Sequence, residues 1–309
     1  MAERIQVGFI GLGQMGGAMA ERLLRSEVAL HIFDPAAAAA ARLTGLGATG
    51  HRSPASVADA ADVVLACLPN PAASEAVALG SDGIARGHAV RTYVEMSTIG
   101  RGSVERIAAG LAGQGIGFLD APVSGGPGGA RAGTLAIMAS GSAENLLRAE
   151  PVLGRIGRSI YRVGDRPGLG QAMKLVNNLV VAANMASAFE ALVIGAKAGL
   201  DADTMVQVLN ASTGRSFVST DMVPRSVLTG CFDFGATIAV MEKDVTLGLA
   251  EAADLSVPLQ ALEQSARLWR LAMMQGRASD DITELIRMLE ESAGVVVRSA
   301  GTPAQASDG

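Results

Sequence analysis

The first half of the chain alternates between short apolar runs and amphipathic stretches. Residues 4–10 form one such run, which leads through a glycine-rich turn into a helical stretch from Gly16 to Ser26. Residues 28–33 form a second run, and an alanine-rich helical stretch follows it over 36–43. Further short apolar runs occur at 62–67, 90–95, 116–119, 134–139 and 159–163. Strands that alternate with helices at this spacing predict an α/β domain with a doubly wound, mostly parallel sheet.

After about residue 165 the periodicity becomes helical throughout. The stretch from Gly170 to Gly199 is apolar at helical spacing and poor in turn signals. Breaks between further helices are predicted near Gly214, Pro224, Gly235, Pro258 and Gly276. We therefore predict an α/β domain over 1–165, an all-α substrate and dimerisation domain over 166–298, and a disordered tail over 299–309.

The first helix of the all-α domain is predicted to be unusually long. At about 1.5 Å per residue, a helix of roughly 30 residues measures about 45 Å. A small domain does not need a helix of this length for its own core. We therefore expect the helix to join the two domains and to reach a subunit interface, in a homodimer or a homotetramer.

Charge and composition narrow the class of partner. The net charge of −5 argues against nucleic acid or anionic lipid as the main partner, because both require a basic face. The longest uncharged run, from Ile5 to Ala20, contains two glutamines and several glycines and falls short of the roughly 18 apolar residues that a membrane span requires. A small-molecule partner and no membrane span are the prediction.

The cysteines and histidines give no sign of a disulfide or a metal site. Cys67 and Cys231 are far apart in apolar surroundings, which favours buried, unreactive thiols in a reducing cytoplasm. The three histidines lack the spacing of metal ligands, both among themselves and with the cysteines. We predict a cytoplasmic protein without a metal.

A glycine motif follows the first predicted strand and opens the first predicted helix. The motif has the form GxGxxG and consists of Gly11, Leu12, Gly13, Gln14, Met15 and Gly16. In this position the glycines allow a tight turn and a close approach of the backbone to a pyrophosphate, whose charge lies at the helix N-terminus. The motif in this context predicts a Rossmann domain that binds a dinucleotide.

Asp34 ends the second predicted strand, where an acidic side chain can accept hydrogen bonds from the adenosine ribose. A carboxylate there repels the 2′-phosphate of NADP, and Pro35 and a run of alanines follow it instead of Arg or Lys. NAD is therefore favoured over NADP. The alternative is an ordinary Asp-Pro turn that caps the next helix.

Two further loops begin at the carboxyl ends of predicted strands, the edge at which open α/β sheets bind ligands. One contains Leu68 and Pro69, and the other contains Thr98. These three residues are candidate contacts on the nicotinamide side of the cofactor. Taken singly, each of them is also typical of a plain loop.

Two segments offer the chemistry of a hydroxy-acid site. Ser124, Gly125 and Gly126 combine a hydroxyl with unobstructed backbone N–H groups, an arrangement suited to a carboxylate, although a flexible glycine loop is an equal alternative. Lys174 and Asn178 are four residues apart on the long helix and share one face.

Burial and the helix dipole would both lower the pKa of an amine at position 174, which could then exchange a proton with a substrate hydroxyl. A surface lysine is the alternative. Lys243, next to Asp244, is a third charged point in an apolar helical stretch, and it could contact the cofactor or form an ordinary surface pair.

Together these segments resemble the ordered signature set of the β-hydroxyacid dehydrogenases, a family that includes 3-hydroxyisobutyrate dehydrogenase and tartronate semialdehyde reductase. The resemblance runs from about residue 4 to 297 and rests on the segments 11–16, 68–69, 97–98, 120–126, 170–178 and 243–244.

The resemblance implies a Rossmann domain, an all-α domain built on a long interdomain helix, and NAD in the cleft. It also implies that Lys174 is the catalytic acid and base with Asn178 beside it, that Ser124 to Gly126 bind the substrate carboxylate, and that Thr98 and Lys243 lie near the cofactor. Relatives specific for 6-phosphogluconate carry His-Asn where this chain has two asparagines, and imine reductases typically lack the lysine.

The function predicted from the sequence is NAD-dependent transfer of hydride between the cofactor and the β-carbon of a small 3-hydroxy acid or its semialdehyde. Two alternatives stay open at this stage. One is an NADPH-dependent reductase of tartronate or succinic semialdehyde, which differs mainly at Asp34. The other is a non-catalytic nucleotide-binding scaffold, in which the lysine is usually lost. The identity of the acid and the physiological direction are open.

Overall fold

A computed structural model describes residues 4–301 of the chain. The chain forms two compact units, of which the first ends at Leu175 and the second begins at Val176. The domain boundary predicted after residue 165 stays a prediction. Most of the predicted tail, residues 302–309, lies outside the described residues.

The first unit contains a sheet of nine strands with the order β3-β2-β1-β4-β5-β6-β8-β7, and β9 pairs with β8. The strands are β1 Gln6–Ile10, β2 Ala29–Phe33, β3 Thr49–Gly50, β4 Val63–Ala66, β5 Thr92–Glu95, β6 Gly117–Asp120, β7 Val123–Ser124, β8 Leu135–Gly141 and β9 Gly157–Gly164. Strands β1 to β6 are parallel, β8 is antiparallel to β6 and β7, and β9 is parallel to β8. The predicted mostly parallel α/β sheet is confirmed.

Seven α-helices lie between these strands in the described part of the first unit. They are α1 Gln14–Leu24, α2 Ala37–Thr44, α3 Pro54–Ala58, α4 Pro71–Leu79, α5 Arg101–Ala112, α6 Gly126–Ala132 and α7 Ala143–Ile156. Helix α1 begins two residues before the predicted start at Gly16, because Gly13 serves as its N-cap and its carbonyl accepts the N–H of Gly17 at 2.7 Å.

Hydrophobic side chains of the central strands alternate between two cores, one on each face of the sheet. Val63 and Leu65 belong to one core, whereas Val64 and Ala66 belong to the other. Successive side chains of a strand point to opposite faces, so a sheet covered on both faces requires continuous apolar runs. This double coverage explains why the central strands read as uninterrupted hydrophobic segments in the sequence.

The second unit is helical in its described residues. Its helices are α8 Leu169–Lys197, whose first turns belong to the first unit, α9 Ala202–Ala211, α10 Ile238–Asp254, α11 Ala261–Met274 and α12 Leu285–Ala293. The core of this unit is built around Phe189 of α8 and Trp269 of α11, both fully buried. The indole N–H of Trp269 donates to the carbonyl of Ala182 at 3.3 Å. The predicted all-α region with a long first helix is confirmed.

Four of the predicted helix breaks fall between observed elements, and the break at Pro224 does not. Pro224 lies inside a π-helical segment, Val218–Val227, at the end of which the N–H of Leu228 bonds to the carbonyl of Val223. The wider turn of a π-helix moves the proline ring away from the carbonyl with which it would clash in an α-helix. The prediction at this proline was therefore wrong.

Helix α8 has the length and composition of a membrane span, with a mean hydropathy of 1.8 over its most apolar window. Within the structure, 39% of that window is buried. Met185 and Phe189 of this helix are fully buried in the core of the second unit. We therefore interpret α8 as the core helix of a folded domain.

Candidate functional site

The glycine motif lies between the end of β1 and the start of α1, and each of its glycines meets a different constraint. Gly11 has a φ of 85°, and a Cβ on it would lie 2.3 Å from the carbonyl oxygen of Cys67. A Cβ on Gly16 would lie 1.9 Å from the carbonyl oxygen of Gly11. A Cβ on Gly13 would meet no atom within 4 Å. The turn is thus closed around Gly11 and Gly16 and open above Gly13, the geometry that a pyrophosphate against the helix N-terminus requires.

Asp34 follows β2 and ties the end of this strand to the glycine motif. One of its carboxylate oxygens accepts the N–H of Leu12 at 2.7 Å, and the other accepts the N–H of Ala36 at 2.7 Å. The second bond is a local turn in which the Asp side chain bonds to the backbone two residues on. Asp34 does not cap the next helix as the Asp-Pro alternative predicted, because Ala36 is the N-cap of α2 and no side chain caps it. The first bond brings the carboxylate to the motif, where the ribose of a dinucleotide would lie.

The loops after β4 and β5 are joined by Ser97. The hydroxyl of Ser97 accepts the N–H of Leu68 at 2.7 Å, and the N–H of Ser97 donates to the carboxyl group of Glu95 at 2.9 Å. Leu68 in turn lies under the glycine motif, 2.9 Å from the position of a Cβ on Gly11. The structure therefore brings together the candidate cofactor residues 11–16, 34, 68 and 69, and joins the backbone that carries Thr98 to them.

Glu95 is completely buried beneath these loops. Desolvation raises its pKa, although hydrogen bonds from Ser97 act in the opposite direction. The hydroxyl of Tyr93 donates to the same carboxyl group at 3.1 Å, and burial raises the pKa of Tyr93 well above its ordinary value. The two side chains form a buried polar layer that supports the candidate nicotinamide-side loops.

Ser124, Gly125 and Gly126 lie where β7 leads into α6. Ser124 pairs with Ala136 of β8, so the serine is held by the sheet. Gly125 and Gly126 have φ values of 130° and 64°, which residues with a Cβ rarely adopt. A Cβ on Gly126 would meet no atom within 4 Å, so its backbone is accessible to a ligand. The turn therefore has a backbone conformation that favours glycine at two successive positions, and carboxylate binding there stays a prediction.

A second buried carboxylate, Asp120, ends β6 and contacts the start of α8. Burial raises the pKa of Asp120 to about 7, while hydrogen bonds from Gln171 and Gly168 lower it. Its carboxylate accepts the N–H groups of Gly168 and Gln171 at 3.1 and 3.0 Å. The side-chain amide of Gln171 donates to the same carboxylate at 2.8 Å.

Lys174 lies in the second turn of α8, within the first unit, and its side chain is half-buried. Asn178 follows four residues later on the same face of this helix and is buried. The assignment of Lys174 as the catalytic group stays a prediction.

In the second unit, Asn178 and Lys243 are bridged by Asp244. The amide of Asn178 donates to one carboxylate oxygen of Asp244 at 2.6 Å, and the ammonium of Lys243 contacts the other at 2.7 Å. Asp244 is buried, and Lys243 is mostly so. Asn177 donates to Asn178 at 3.0 Å. Lys243 is thus part of a polar cluster with Asp244 and Asn178, and its contact with the cofactor stays a prediction.

Sequence reasoning assigned no role to four residues that organise these sites. They are Glu95, Ser97, Gln171 and Asp244. Each is a polar residue at the end of a strand or inside an apolar helical stretch. Their position next to predicted site residues was the available signal, but a single sequence does not reveal that they are buried and bonded to one another.

The cysteines differ from the prediction of two buried thiols. Neither forms a disulfide in the structure, Cys67 is half-buried, and Cys231 is exposed. Among residues 4–301, the structure contains no cluster of three or more His, Cys, Asp and Glu side chains that could hold a metal ion.

Two family models match the chain. The model described as the NAD binding domain of 6-phosphogluconate dehydrogenase matches residues 6–164. The model described as NAD-binding of NADP-dependent 3-hydroxyisobutyrate dehydrogenase matches residues 168–289. The two matches cover the α/β part and the helical part of the chain in turn.

Characterised relatives resemble the chain over most of its length. It is 37% identical to 2-(hydroxymethyl)glutarate dehydrogenase of Eubacterium barkeri, over 96% of this chain and 99% of that protein. It is 37% identical to 3-hydroxyisobutyrate dehydrogenase of Pseudomonas aeruginosa, over 84% and 90%. The solved structure of Mycobacterium tuberculosis 3-hydroxyisobutyrate dehydrogenase with L-serine is similar with a TM-score of 0.84 and 30% identity, over 93% and 99%.

Proposed function

The chain belongs to the β-hydroxyacid dehydrogenase family of NAD(P)-dependent oxidoreductases, and on this basis we propose that it oxidises a small 3-hydroxy acid to the semialdehyde, or reduces the semialdehyde, with NAD as cofactor. The observation that carries the proposal is the joined strand edge of the first unit. There the open glycine turn, Asp34 and the loops of Leu68 and Thr98 lie on the same hydrogen-bonded framework as the helix that bears Lys174.

Each group of candidate residues has a proposed role in binding or catalysis. Gly11 to Gly16 would hold the pyrophosphate, Asp34 the adenosine ribose, and Leu68, Pro69, Thr98 and Lys243 the remainder of the dinucleotide. The bound nicotinamide supplies or accepts the hydride. Ser124 to Gly126 would bind the substrate carboxylate and hold the hydroxyl-bearing carbon in place.

In the oxidative direction, the C–H bond of the hydroxyl-bearing carbon would break, and the nicotinamide, when bound, would accept its electron pair as hydride. The O–H bond breaks at the same time, and its proton passes to the neutral amine Nζ of Lys174, so that a C=O bond forms. In the reductive direction the ammonium of Lys174 returns the proton to the carbonyl oxygen. Asn178 would orient the amine and the substrate oxygen, and Asp244 in turn holds Asn178 through the 2.6 Å bond.

The names of the relatives suggest the substrate class. 2-(Hydroxymethyl)glutarate and 3-hydroxyisobutyrate, and the L-serine of the mycobacterial structure, each carry a CH₂OH group on the carbon next to a carboxylate. We infer that this chain acts on a primary β-hydroxy acid of this kind. The second candidate is an NADPH-dependent reductase of tartronate or succinic semialdehyde, and the carboxylate of Asp34 beside Leu12 disfavours it.

A substrate panel tests the proposal. Purified protein is mixed with NAD or NADP and with 3-hydroxyisobutyrate, 2-(hydroxymethyl)glutarate, serine, glycerate and threonate, and reduced cofactor is followed by absorbance. We expect turnover of at least one acid, with NAD preferred. Lys174→Met should lower kcat by about 10²- to 10⁴-fold while cofactor binding persists.

Lys197→Met is the matched control for this experiment. Lys197 is at the other end of α8, where its ammonium donates to the carbonyl of Ala293 at 2.8 Å. Its replacement should leave kcat unchanged. If the cofactor binds but none of the acids is turned over, a non-catalytic nucleotide-binding scaffold is favoured. Full turnover by Lys174→Met would disprove the assigned mechanism.

We also propose a cytoplasmic homodimer or homotetramer. Helix α8 exposes the large apolar side chains of Val176, Val180 and Ile194, with Ile194 70% exposed. Their spacing of four and fourteen residues places them along one side of the helix. An apolar stripe of this kind on a long helix is suited to packing against a second copy of the chain.

A further inference from the structure

The start of α8 is held by a side chain from another element. Helix α8 has no acidic residue in its first turn, and the residue before it, Gly168, has no side chain. The first N–H groups of a helix need acceptors, and a negative charge near them is favourable. Asp120, at the end of β6, meets both needs through its bonds to the N–H groups of Gly168 and Gln171.

Gln171 is fully buried and uses every hydrogen-bonding position of its side-chain amide. Its NH₂ group donates to the carboxylate of Asp120 at 2.8 Å and to the carbonyl of Ser97 at 2.9 Å. Its carbonyl oxygen accepts the N–H groups of Ile99 and Gly100 at 2.8 and 3.1 Å. The orientation of the amide is fixed, because donors and acceptors cannot be exchanged without breaking all four bonds.

This amide joins three separate parts of the first unit: the end of β6, the loop from Ser97 to Gly100, and the first turn of α8. Thr98 lies inside the joined loop, and Lys174 follows Gln171 by three residues on the helix. The neighbouring Gly170 allows this turn to approach the sheet closely, since a Cβ there would lie 2.6 Å from the carbonyl of Met138 and 2.8 Å from the carboxylate of Asp120.

We propose that Gln171 and Asp120 are positioning residues for hydride and proton transfer: together they hold the helical turn that carries Lys174 in register with the loop that carries Thr98. The inference rests on the proposed function of Lys174. Both residues act through others, because the bonds that their side chains make go to the protein framework. A displacement of about 1 Å at a reacting group can lower a rate by about 10²-fold, so loss of the framework should appear mainly in the chemical step.

Gln171→Met tests the proposal, since it keeps the length of the side chain and removes all four bonds. We expect kcat to fall by about 10²-fold, while the cofactor Kd changes by less than about threefold. The primary deuterium isotope effect on kcat, measured with acid deuterated at the hydroxyl-bearing carbon, should rise because hydride transfer becomes fully rate-limiting. A purely structural role would lower the amount of folded protein and leave the isotope effect of that fraction unchanged.

Asn145→Leu is the matched control. Asn145 also joins a helix to a strand, through a bond from its amide to the carbonyl of Phe118 at 3.2 Å, but it lies at the amino end of β6, opposite to Asp120. We expect this variant to lose thermal stability as Gln171→Met does and to keep kcat within about twofold.

Asp120→Asn serves as a second variant should Gln171→Met fail to fold. It preserves the size of the side chain and removes the negative charge at the helix start. The amide of an asparagine cannot accept from Gly168, Gln171 and the side-chain NH₂ of Gln171 as the carboxylate does, so part of the framework is lost. We expect kcat to fall and the isotope effect to rise as in Gln171→Met, while the cofactor Kd changes by less than about threefold.

The outcomes separate this inference from the proposed function. If the wild type is active and Lys174→Met is inactive, the proposed function stands. The inference alone is then overturned by an unchanged kcat and isotope effect in Gln171→Met or in Asp120→Asn. An equal loss of kcat in Asn145→Leu overturns it as well. If Lys174→Met is fully active, both the function of the lysine and its positioning are overturned.

Discussion

Single residues of the glycine motif carry different physical constraints, although the sequence presents them as equivalent. Gly11 needs a backbone conformation that side chains disfavour, Gly16 needs the space that a Cβ would take from Gly11, and Gly13 needs neither. We attribute the glycine at position 13 to the approach of the proposed cofactor, so its replacement should separate cofactor binding from folding.

We expect Gly13→Ala to fold normally and to bind the dinucleotide poorly. Gly13 has a φ of −62° and a ψ of −165°, which alanine adopts, so the free energy of unfolding should change by less than about 1 kcal/mol. The added methyl group would occupy the space of the pyrophosphate, and the cofactor Kd should rise at least about tenfold. Calorimetric titration and thermal unfolding measure the two effects.

Gly16→Ala is the paired variant with the opposite outcome. Its Cβ would lie 1.9 Å from a backbone oxygen, so the helix and strand must separate, and we expect a loss of stability of about 1–3 kcal/mol. Wild-type cofactor affinity in Gly13→Ala would contradict the assignment of this turn as the pyrophosphate site.

The identity of single residues pointed to the candidate chemical groups, but it did not point to the residues that hold those groups in place. Lys174, Asp34 and the serine-glycine turn stand out because a lysine in an apolar helix, an acid after a strand and paired glycines are each unusual in their surroundings. Gln171 does not stand out, since a glutamine near the start of a helix is ordinary. Its importance comes from four partners distant in sequence, which only the fold brings together.

At the level of elements, the sequence predicted those that bury a continuous apolar face. Strands of four or more residues and helix α8 were located to within a few residues, because a covered sheet and a core helix impose runs and periods on the sequence. Strands β3 and β7 have two residues each and no period of their own, and pairing with β2 and β8 alone defines them. The local propensity of Pro224 predicts a helix break. The π-helical segment forms nevertheless, because its residues pack in the second unit.

Helix α7 offers a test of local stability away from the candidate site. The hydroxyl of Ser142 caps its first turn by accepting the N–H of Asn145 at 3.2 Å. Ser142→Ala should lower the free energy of unfolding by about 1 kcal/mol, and Ser142→Asp should retain the cap. Chemical denaturation measures both. Enzymatic turnover should be unchanged in both variants, because this helix begins at the end of β6 opposite to Asp120; a loss of turnover in Ser142→Ala at full folding would contradict this separation.

At the scale of the whole molecule, helix α8 exposes apolar side chains that do not belong to the core of the second unit. Val176 and Val180 are 55% and 50% exposed, on the same helix whose other face holds Phe189 in the core. A helix with apolar residues on two faces usually has a partner for each. The self-association of the chain is therefore expected to depend on this helix.

Val180→Glu should convert the oligomer into monomers, because a charge would be buried in an apolar contact. Light scattering coupled to size exclusion measures the mass in solution. Val257→Glu, at a valine with the same 50% exposure in the segment between α10 and α11, is the control and should leave the oligomer intact. A wild-type chain that is monomeric at micromolar concentration would contradict the proposed assembly.

The first unit ends inside α8, at Leu175. The position of the junction therefore matters when parts of this chain are exchanged with those of relatives. A chimera joined in the segment just before α8 would take Lys174 and Gln171 from one parent and Asp120 from the other, whereas a crossover after Leu175 inherits all three from the same parent. Swapping the helical half to change substrate preference should therefore succeed more often with the later junction.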